Sequence, residues 1–80
     1  MHILVIGAAG MIGRKLVAAL IARGGHNGRP IEKLTLADIV APGMPDFGGK
    51  VETVAADLSE PGVAARLISA RPDLIFHLAA

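Results

Sequence analysis

Three glycines recur at intervals of three residues in VIGAAGMIGR, residues 5–14, directly after an apolar run. If a helix begins at this loop, its first backbone N–H groups have no partners within the helix and point into the space before it. The aligned peptide dipoles add about half a positive charge there. A phosphate group is the ligand that such a helix end favours. The segment therefore predicts a phosphate-binding loop.

Each glycine of this loop has a separate predicted role. Gly7 permits a tight turn, Gly10 keeps a Cβ out of the path of a phosphate, and Gly13 lets helix and strand pack closely. The alternative is a tight strand–helix turn with no ligand, for which glycines also serve. A nucleotide-hydrolysing P-loop is disfavoured, because that motif needs Gly-Lys followed by a hydroxyl, whereas Arg14 follows Gly13 here.

An acidic residue follows the glycine loop at a distance typical of dinucleotide-binding proteins. Asp38 ends the second apolar run, about 25 residues after Gly13. A carboxylate at this position accepts hydrogen bonds from the two ribose hydroxyls and repels a 2′-phosphate, which favours NAD over NADP. Arg14, just past the loop, is an argument for NADP, and Asp38 could instead form a turn or cap a helix.

Four further segments contain residues whose role has more than one interpretation or no chemical signal. Asp57 and Leu58 end the third apolar run, where an adenine would lie, although Asp57 could equally stand near a helix start. His77 is expected to be a buried core histidine because its neighbours are apolar. His2 and His26 have no spacing that suggests metal ligands.

The elements that must position these residues follow from hydrophobic periodicity. Short apolar runs predict four strands at residues 2–6, 33–39, 50–57 and about 73–78. A helix is predicted from Met11 to about Arg23, ended by Gly24 and Gly25. A second helix, capped by Ser59, would run to about Ala70. Residues 24–30 and 41–49 are expected to be irregular.

This alternation of strands and helices predicts an α/β fold with a doubly wound parallel sheet. The chain has 80 residues, is 52% hydrophobic and contains only two aromatic residues, both Phe, which suits a core of Ile, Leu, Val and Ala.

A net charge of +1 without charge runs argues against nucleic-acid and membrane partners. The absence of cysteine excludes disulfides and thiolate metal sites. With no signal peptide or membrane span, we expect a cytoplasmic protein.

Three segments in combination resemble the extended short-chain dehydrogenase/reductase family, also called the NAD-dependent epimerase/dehydratase family. These segments are GAAGMIG, which has the family's GxxGxxG spacing, ADL and IFHLAA, and the resemblance covers all 80 residues. GRPIEKLTLADIV further resembles the D-erythronate dehydrogenase branch. The resemblance implies NAD as cofactor and a Rossmann-type sheet of which residues 1–80 are the amino-terminal βαββαβ portion. It implies cofactor contacts at Gly7, Gly10, Met11, Ile12, Gly13, Asp38, Asp57, Leu58, Leu78, Ala79 and Ala80.

The family's catalytic Tyr-x-x-x-Lys pair has no counterpart here, because the chain contains no tyrosine. We therefore expect the rest of the domain, the catalytic residues and the substrate-binding region to lie after Ala80, in a protein that could form a homodimer. The resemblance implies oxidation of a hydroxyl of a sugar acid with hydride transfer to NAD. The alternatives are a nucleotide-sugar epimerase or dehydratase of the same family, a non-catalytic dinucleotide-binding module and, less favoured, a methyltransferase.

Overall fold

The computed structural model describes residues 1–78 of the chain. Its elements are, in chain order, β1 (His2–Ile6), α1 (Met11–Arg23), β2 (Gly25–His26), β3 (Arg29–Pro30), β4 (Lys33–Asp38), β5 (Lys50–Ala55), α2 (Val63–Ser69) and β6 (Leu74–His77). The four predicted strands and the two predicted helices are all present. Residues 41–49 contain neither helix nor strand, as expected.

The main sheet has four parallel strands in the order β5-β4-β1-β6. The chain steps outward from β1 to β4 and β5, then returns to the opposite side of β1 to form β6. This reversal is the switch point of a doubly wound sheet. The register aligns Ile6 with Ala37 on one side and with His77 on the other, so the strands end together.

Each face of the sheet packs against one helix because side chains alternate along the strands. On one face, Ile3 and Val5 pack with Val17 and Leu20 of α1. On the other face, Leu4 and Ile6 pack with α2 through the cluster that contains Val63 and Leu67. The central strand is thus apolar on both sides, and each fully buried Leu or Ile contributes about 1.5–3 kcal/mol.

Glycine ends α1 where the sequence predicts. Gly24 has a left-handed φ of 68°, and its N–H donates to the carbonyls of Leu20 and Ile21 at 2.9 and 3.1 Å. A residue with a Cβ would be strained in that conformation. The end of α1 is therefore set by local backbone chemistry.

The start of α2 differs from the prediction that Ser59 caps it. The helix begins at Val63 after Gly62, which has a φ of 84°, and no side chain caps it. The Ser59 hydroxyl donates instead to the carboxylate of Asp57. Because this local bond uses the serine within the preceding turn, the helix starts three residues later than a Ser59 cap requires.

A small hairpin occupies the segment that was expected to be an irregular loop. Strands β2 and β3 pair in antiparallel fashion, joined by Asn27 and Gly28. Both joining residues have positive φ, 51° and 78°, as two-residue hairpin turns require. The Asn-Gly pair was the signal for this turn, but the flanking strands are too short to show periodicity.

Candidate functional site

The predicted site residues gather at the carboxyl end of the sheet. The glycine loop follows β1, Asp38 ends β4, Asp57 lies just beyond β5, and Leu78 follows β6. In open α/β sheets, ligands bind in the crevice outside the carboxyl ends of the strands. Parallel pairing therefore brings together residues that are as much as 71 positions apart.

Backbone hydrogen bonds fix the glycine loop to β4. The N–H groups of Gly7 and Ala8 both donate to the carbonyl of Ala37, at 2.9 and 3.1 Å. Gly7 has a φ of 89°, which a residue with a side chain rarely adopts. The tight turn predicted at Gly7 is thus present, and the loop cannot shift without breaking its contacts with the neighbouring strand.

The other two glycines differ in what surrounds them. A Cβ on Gly13 would lie 2.1 Å from the carbonyl oxygen of Gly7 and 2.8 Å from the Cα of Ala8, both rigid backbone atoms. A Cβ on Gly10 would meet only the Gly7 oxygen, at an ordinary 3.6 Å. Gly13 is therefore required by the packing of α1 on the loop, whereas packing within the described residues 1–78 gives no reason for glycine at position 10.

The first turn of α1 presents backbone donors at the mouth of this loop. The first hydrogen bond of the helix runs from the Arg14 N–H to the Gly10 carbonyl at 2.9 Å, so the N–H groups of Met11, Ile12 and Gly13 precede the helical ladder. Gly10 supplies no capping side chain, and the first turn holds no acidic residue. With Met11 67% and Ile12 70% exposed, this helix end is open to an anion.

Asp38 is bonded to the loop and retains unused acceptor positions. Its Oδ2 accepts from the Ala9 N–H at 2.9 Å, and its Oδ1 accepts from the Ile39 N–H at 2.7 Å. An ionised carboxylate offers about four acceptor positions. One position on each oxygen is still free for two neighbouring hydroxyl donors.

A cavity of about 240 Å³ lies beside Asp38. Its lining consists mainly of apolar residues, together with two carboxylates, a serine and a histidine. The lining residues are Ile6, Gly7, Ala37, Asp38, Ile39, Ala56, Asp57, Leu58, Ser59, Leu67 and His77. Sequence reasoning named Gly7, Asp38, Asp57 and Leu58 from this set. Ile39 and Ser59 were missed as site residues, although each directly follows or lies close to a predicted acid.

Asp57 is held by its neighbour two residues on. The N–H and the hydroxyl of Ser59 donate to the same oxygen, Oδ1, at 2.9 and 2.7 Å. These bonds, the hydroxyl's first, hold the pKa of Asp57 below its usual value. The carboxylate is therefore ionised and acts only as an acceptor at neutral pH.

His77 contradicts the expectation of a buried core histidine. It is exposed at the end of β6 and lines the cavity. His77 lies at the carboxyl end of its strand, and neither core cluster of the described residues includes it. Leu78 is exposed too, and its N–H donates to the Ile6 carbonyl at 2.8 Å. Ala79 and Ala80, also predicted as site residues, lie outside the described residues.

Two further properties concern residues 1–78 as a whole. They contain no cluster of three or more His, Asp or Glu side chains able to hold a metal ion. In the same part of the chain, no helix combines the length and apolar character needed to cross a membrane.

Known proteins with similar sequences agree on one family. The profile of the NAD dependent epimerase/dehydratase family matches residues 3–80. D-erythronate dehydrogenase of Cupriavidus necator is 42% identical over the whole chain, and that of Haemophilus influenzae is 34% identical. The chain spans about a quarter of the length of these curated relatives, 26% and 24% respectively.

Solved structures give the same result for the fold. The nucleoside-diphosphate-sugar epimerase from Agrobacterium tumefaciens superposes with a TM-score of 0.97 at 57% identity, covering all of this chain and 24% of its own. A mutant uronate dehydrogenase from the same organism, complexed with NAD, gives a TM-score of 0.70 at 31% identity over 96% of this chain and 25% of its own. The doubly wound, Rossmann-type fold predicted from the sequence is confirmed. The chain therefore belongs to the NAD dependent epimerase/dehydratase family.

Proposed function

We propose that residues 1–80 form the amino-terminal part of an NAD-binding domain in an oxidoreductase that oxidises a hydroxyl of a sugar acid similar to D-erythronate. The observation that carries the proposal is the contrast between Gly10 and Gly13. Among residues 1–78, no contact requires glycine at position 10, which lies at the open end of α1. A pyrophosphate that approaches the backbone there supplies the reason.

The rest of the chain supports a dinucleotide rather than a simple phosphate. The free acceptor positions of Asp38 suit the two ribose hydroxyls, and the adjacent cavity suits the adenine. The same carboxylate would repel a 2′-phosphate, which favours NAD over NADP. The N–H groups of Met11, Ile12 and Gly13 would bind the pyrophosphate, whose approach Gly10 allows, while Gly7 shapes the turn.

The remaining predicted contacts belong to the same proposal. Asp57 and Leu58 would contact the adenine from the end of β5. Leu78, with Ala79 and Ala80, would border the cofactor at the end of β6. When bound, NAD supplies a hydride acceptor. The role proposed for residues 1–80 is to bind and orient the cofactor.

The substrate class rests on the curated relatives. Both D-erythronate dehydrogenases align with the whole of this chain. The 57% identity with a nucleoside-diphosphate-sugar epimerase favours a second candidate, the epimerisation of a nucleotide sugar. In the first reaction NADH accumulates, whereas in the second the hydride returns to the sugar.

One assay separates the two candidates. The complete polypeptide that contains residues 1–80 is incubated with D-erythronate and NAD, and net NADH formation is followed. In parallel, NADP replaces NAD, and nucleoside-diphosphate sugars replace D-erythronate. NADH formation with D-erythronate supports the proposal. Epimerised nucleotide sugar without net NADH supports the second candidate, and faster reduction of NADP than of NAD would contradict the role of Asp38.

A further inference from the structure

Ser59 controls how the carboxylate of Asp57 is presented. Two hydrogen bonds from Ser59 converge on Oδ1, one from the hydroxyl at 2.7 Å and one from the backbone N–H at 2.9 Å. Among residues 1–78, no hydrogen-bond donor reaches Oδ2 of Asp57. The side chain is thus fixed through one oxygen and leaves the other to accept.

The cavity that Asp57 and Ser59 line has the size and character for one flat ring system. Its volume of about 240 Å³ is below the roughly 300–1,000 Å³ of pockets for drug-sized ligands. Ile6, Ile39 and Leu67 supply apolar surface for the faces of a ring. A carboxylate acceptor at the side of such a cavity favours a ring that carries a hydrogen-bond donor at its edge.

We propose that Ser59 is a positioning residue that orients Asp57 so that the cavity selects a 6-aminopurine over a 6-oxopurine. The inference rests on the proposed function, because it places the adenosine half of NAD in this cavity. The 6-amino group donates to Oδ2 of Asp57. A 6-oxo group presents an acceptor to an acceptor, and the two repel.

The protonation state of Asp57 strengthens the discrimination. At neutral pH the carboxylate of Asp57 is ionised and carries no proton that it could donate to a 6-oxo group, and the bonds from Ser59 lower its pKa further. Replacing Ser59 with alanine removes the hydroxyl bond and leaves the backbone bond. Asp57 then loses one of the two bonds that orient it, although the turn itself is retained.

The test compares two dinucleotides that differ at this one position. The dissociation constants of NAD and of nicotinamide hypoxanthine dinucleotide are measured by calorimetry on the complete polypeptide. The variants are Ser59→Ala, Ser59→Thr, which keeps a hydroxyl, and Ser69→Ala as a matched control. Ser69 is exposed on α2, and its hydroxyl donates to the Arg66 carbonyl, outside the cavity lining. Circular dichroism establishes that each variant is folded.

The unaltered protein is expected to bind NAD about tenfold or more tightly than the hypoxanthine analogue, as for a hydrogen bond to a charged group. Ser59→Ala is expected to reduce this ratio at least threefold by weakening NAD alone, while Ser59→Thr and Ser69→Ala preserve it. If Ser59→Ala weakens both dinucleotides equally, or leaves the ratio unchanged, the inference is wrong although NAD binds. An absence of NAD binding by the unaltered protein would instead overturn the proposed function itself.

Discussion

The two ends of the parallel sheet use their polar groups in opposite ways. Near the amino end, the carboxylate of Asp73 accepts from the His2 N–H at 2.7 Å and lies 3.7 Å from the guanidinium of Arg29. The His2 ring shares a 2.7 Å hydrogen bond with the buried hydroxyl of Thr35. At this end, polar groups of the chain satisfy one another.

At the carboxyl end of the sheet, polar groups of the described residues have hydrogen-bonding positions that no other group of the chain uses. The first N–H groups of α1 precede its hydrogen-bond ladder, and Asp38 and Asp57 each retain acceptor positions. Apolar side chains also remain uncovered here, with Ile39 71% exposed. The difference between the two ends supports the proposal that one end contributes to stability, while the other is available to a ligand. Three predictions challenge this division.

The largest effect is expected from Gly13→Ala, which should behave as a stability mutation although it lies at the carboxyl end. Its Cβ would lie 2.1 Å from a backbone oxygen, so α1 must move away from the loop. We expect a loss of about 3 kcal/mol in the free energy of unfolding, the upper part of the usual range for overpacking. Urea denaturation measures it, with Gly43→Ala as the control because a Cβ there meets nothing within 4 Å. A loss below about 1 kcal/mol would show that the loop yields easily.

Gly10→Ala should show the opposite behaviour, with binding lost and stability kept. Its φ of −73° suits alanine, and exchanging glycine for alanine at a helix cap costs about 1 kcal/mol or less. The added methyl would stand where the proposed function places the pyrophosphate, so NAD affinity should fall at least about tenfold, equivalent to about 1.4 kcal/mol. Calorimetric titration with NAD, again beside Gly43→Ala, checks this. Unchanged NAD affinity would indicate that the glycine loop is a tight strand–helix turn that does not contact the cofactor.

The smallest effect concerns His2 at the amino end and is a pH dependence. Burial, followed by the charge of Lys33, lowers the pKa of His2 below its ordinary 6.5, against the opposing charges of Asp73 and Glu52. The unfolded chain then binds the proton more readily than the folded protein. Stability should therefore be complete above pH 6.5 and fall as the pH drops from 6.5 through the folded-state pKa.

The measurement for His2 is the urea midpoint as a function of pH. In His2→Gln the decline that begins near pH 6.5 should disappear. The separate loss of protein stability in acid should remain in this variant. Asp57 and Asp73 have folded-state pKa values below their ordinary 3.8, so the protein loses stability as the pH falls through those values. NAD affinity should not change in this variant. An unaltered decline near pH 6.5 would assign the effect to another group.

The sequence predicted those parts of the fold that depend on periodicity and backbone restriction. The strand at residues 2–6, the helix from Met11 to Arg23 and the glycine end at Gly24 agree with the structure. The parallel direction of the strands was also predicted, because a chain in which strands alternate with helices has few possible arrangements. The strand predicted to end at Asp57 stops at Ala55, since pairing with β4 ends there.

The features that the sequence did not predict depend on competition between local and distant partners. Ser59 could cap a helix or bond to Asp57, and only the folded turn decides between them. His77 has apolar neighbours in sequence, yet it ends its strand outside both core clusters of the described residues. In the site, Asp38 was predicted from its spacing after the glycine loop and Asp57 from its place at the end of a strand, but the bond between Asp38 and Ala9 depends on the register of two strands.

That bond has a consequence for any attempt to change the coenzyme preference of this protein. Because Asp38 also accepts from the Ala9 N–H, removing its side chain to admit a phosphorylated ribose would loosen the glycine loop at the same time. An engineer should therefore begin with Asp38→Asn, whose amide oxygen can keep the bond from the Ala9 N–H, while its NH₂ group gives up the bond that Oδ1 accepts from the Ile39 N–H and can donate to the added phosphate. Replacing Asp38 by a residue without a side-chain acceptor would remove the hydrogen bond from the Ala9 N–H together with the carboxylate.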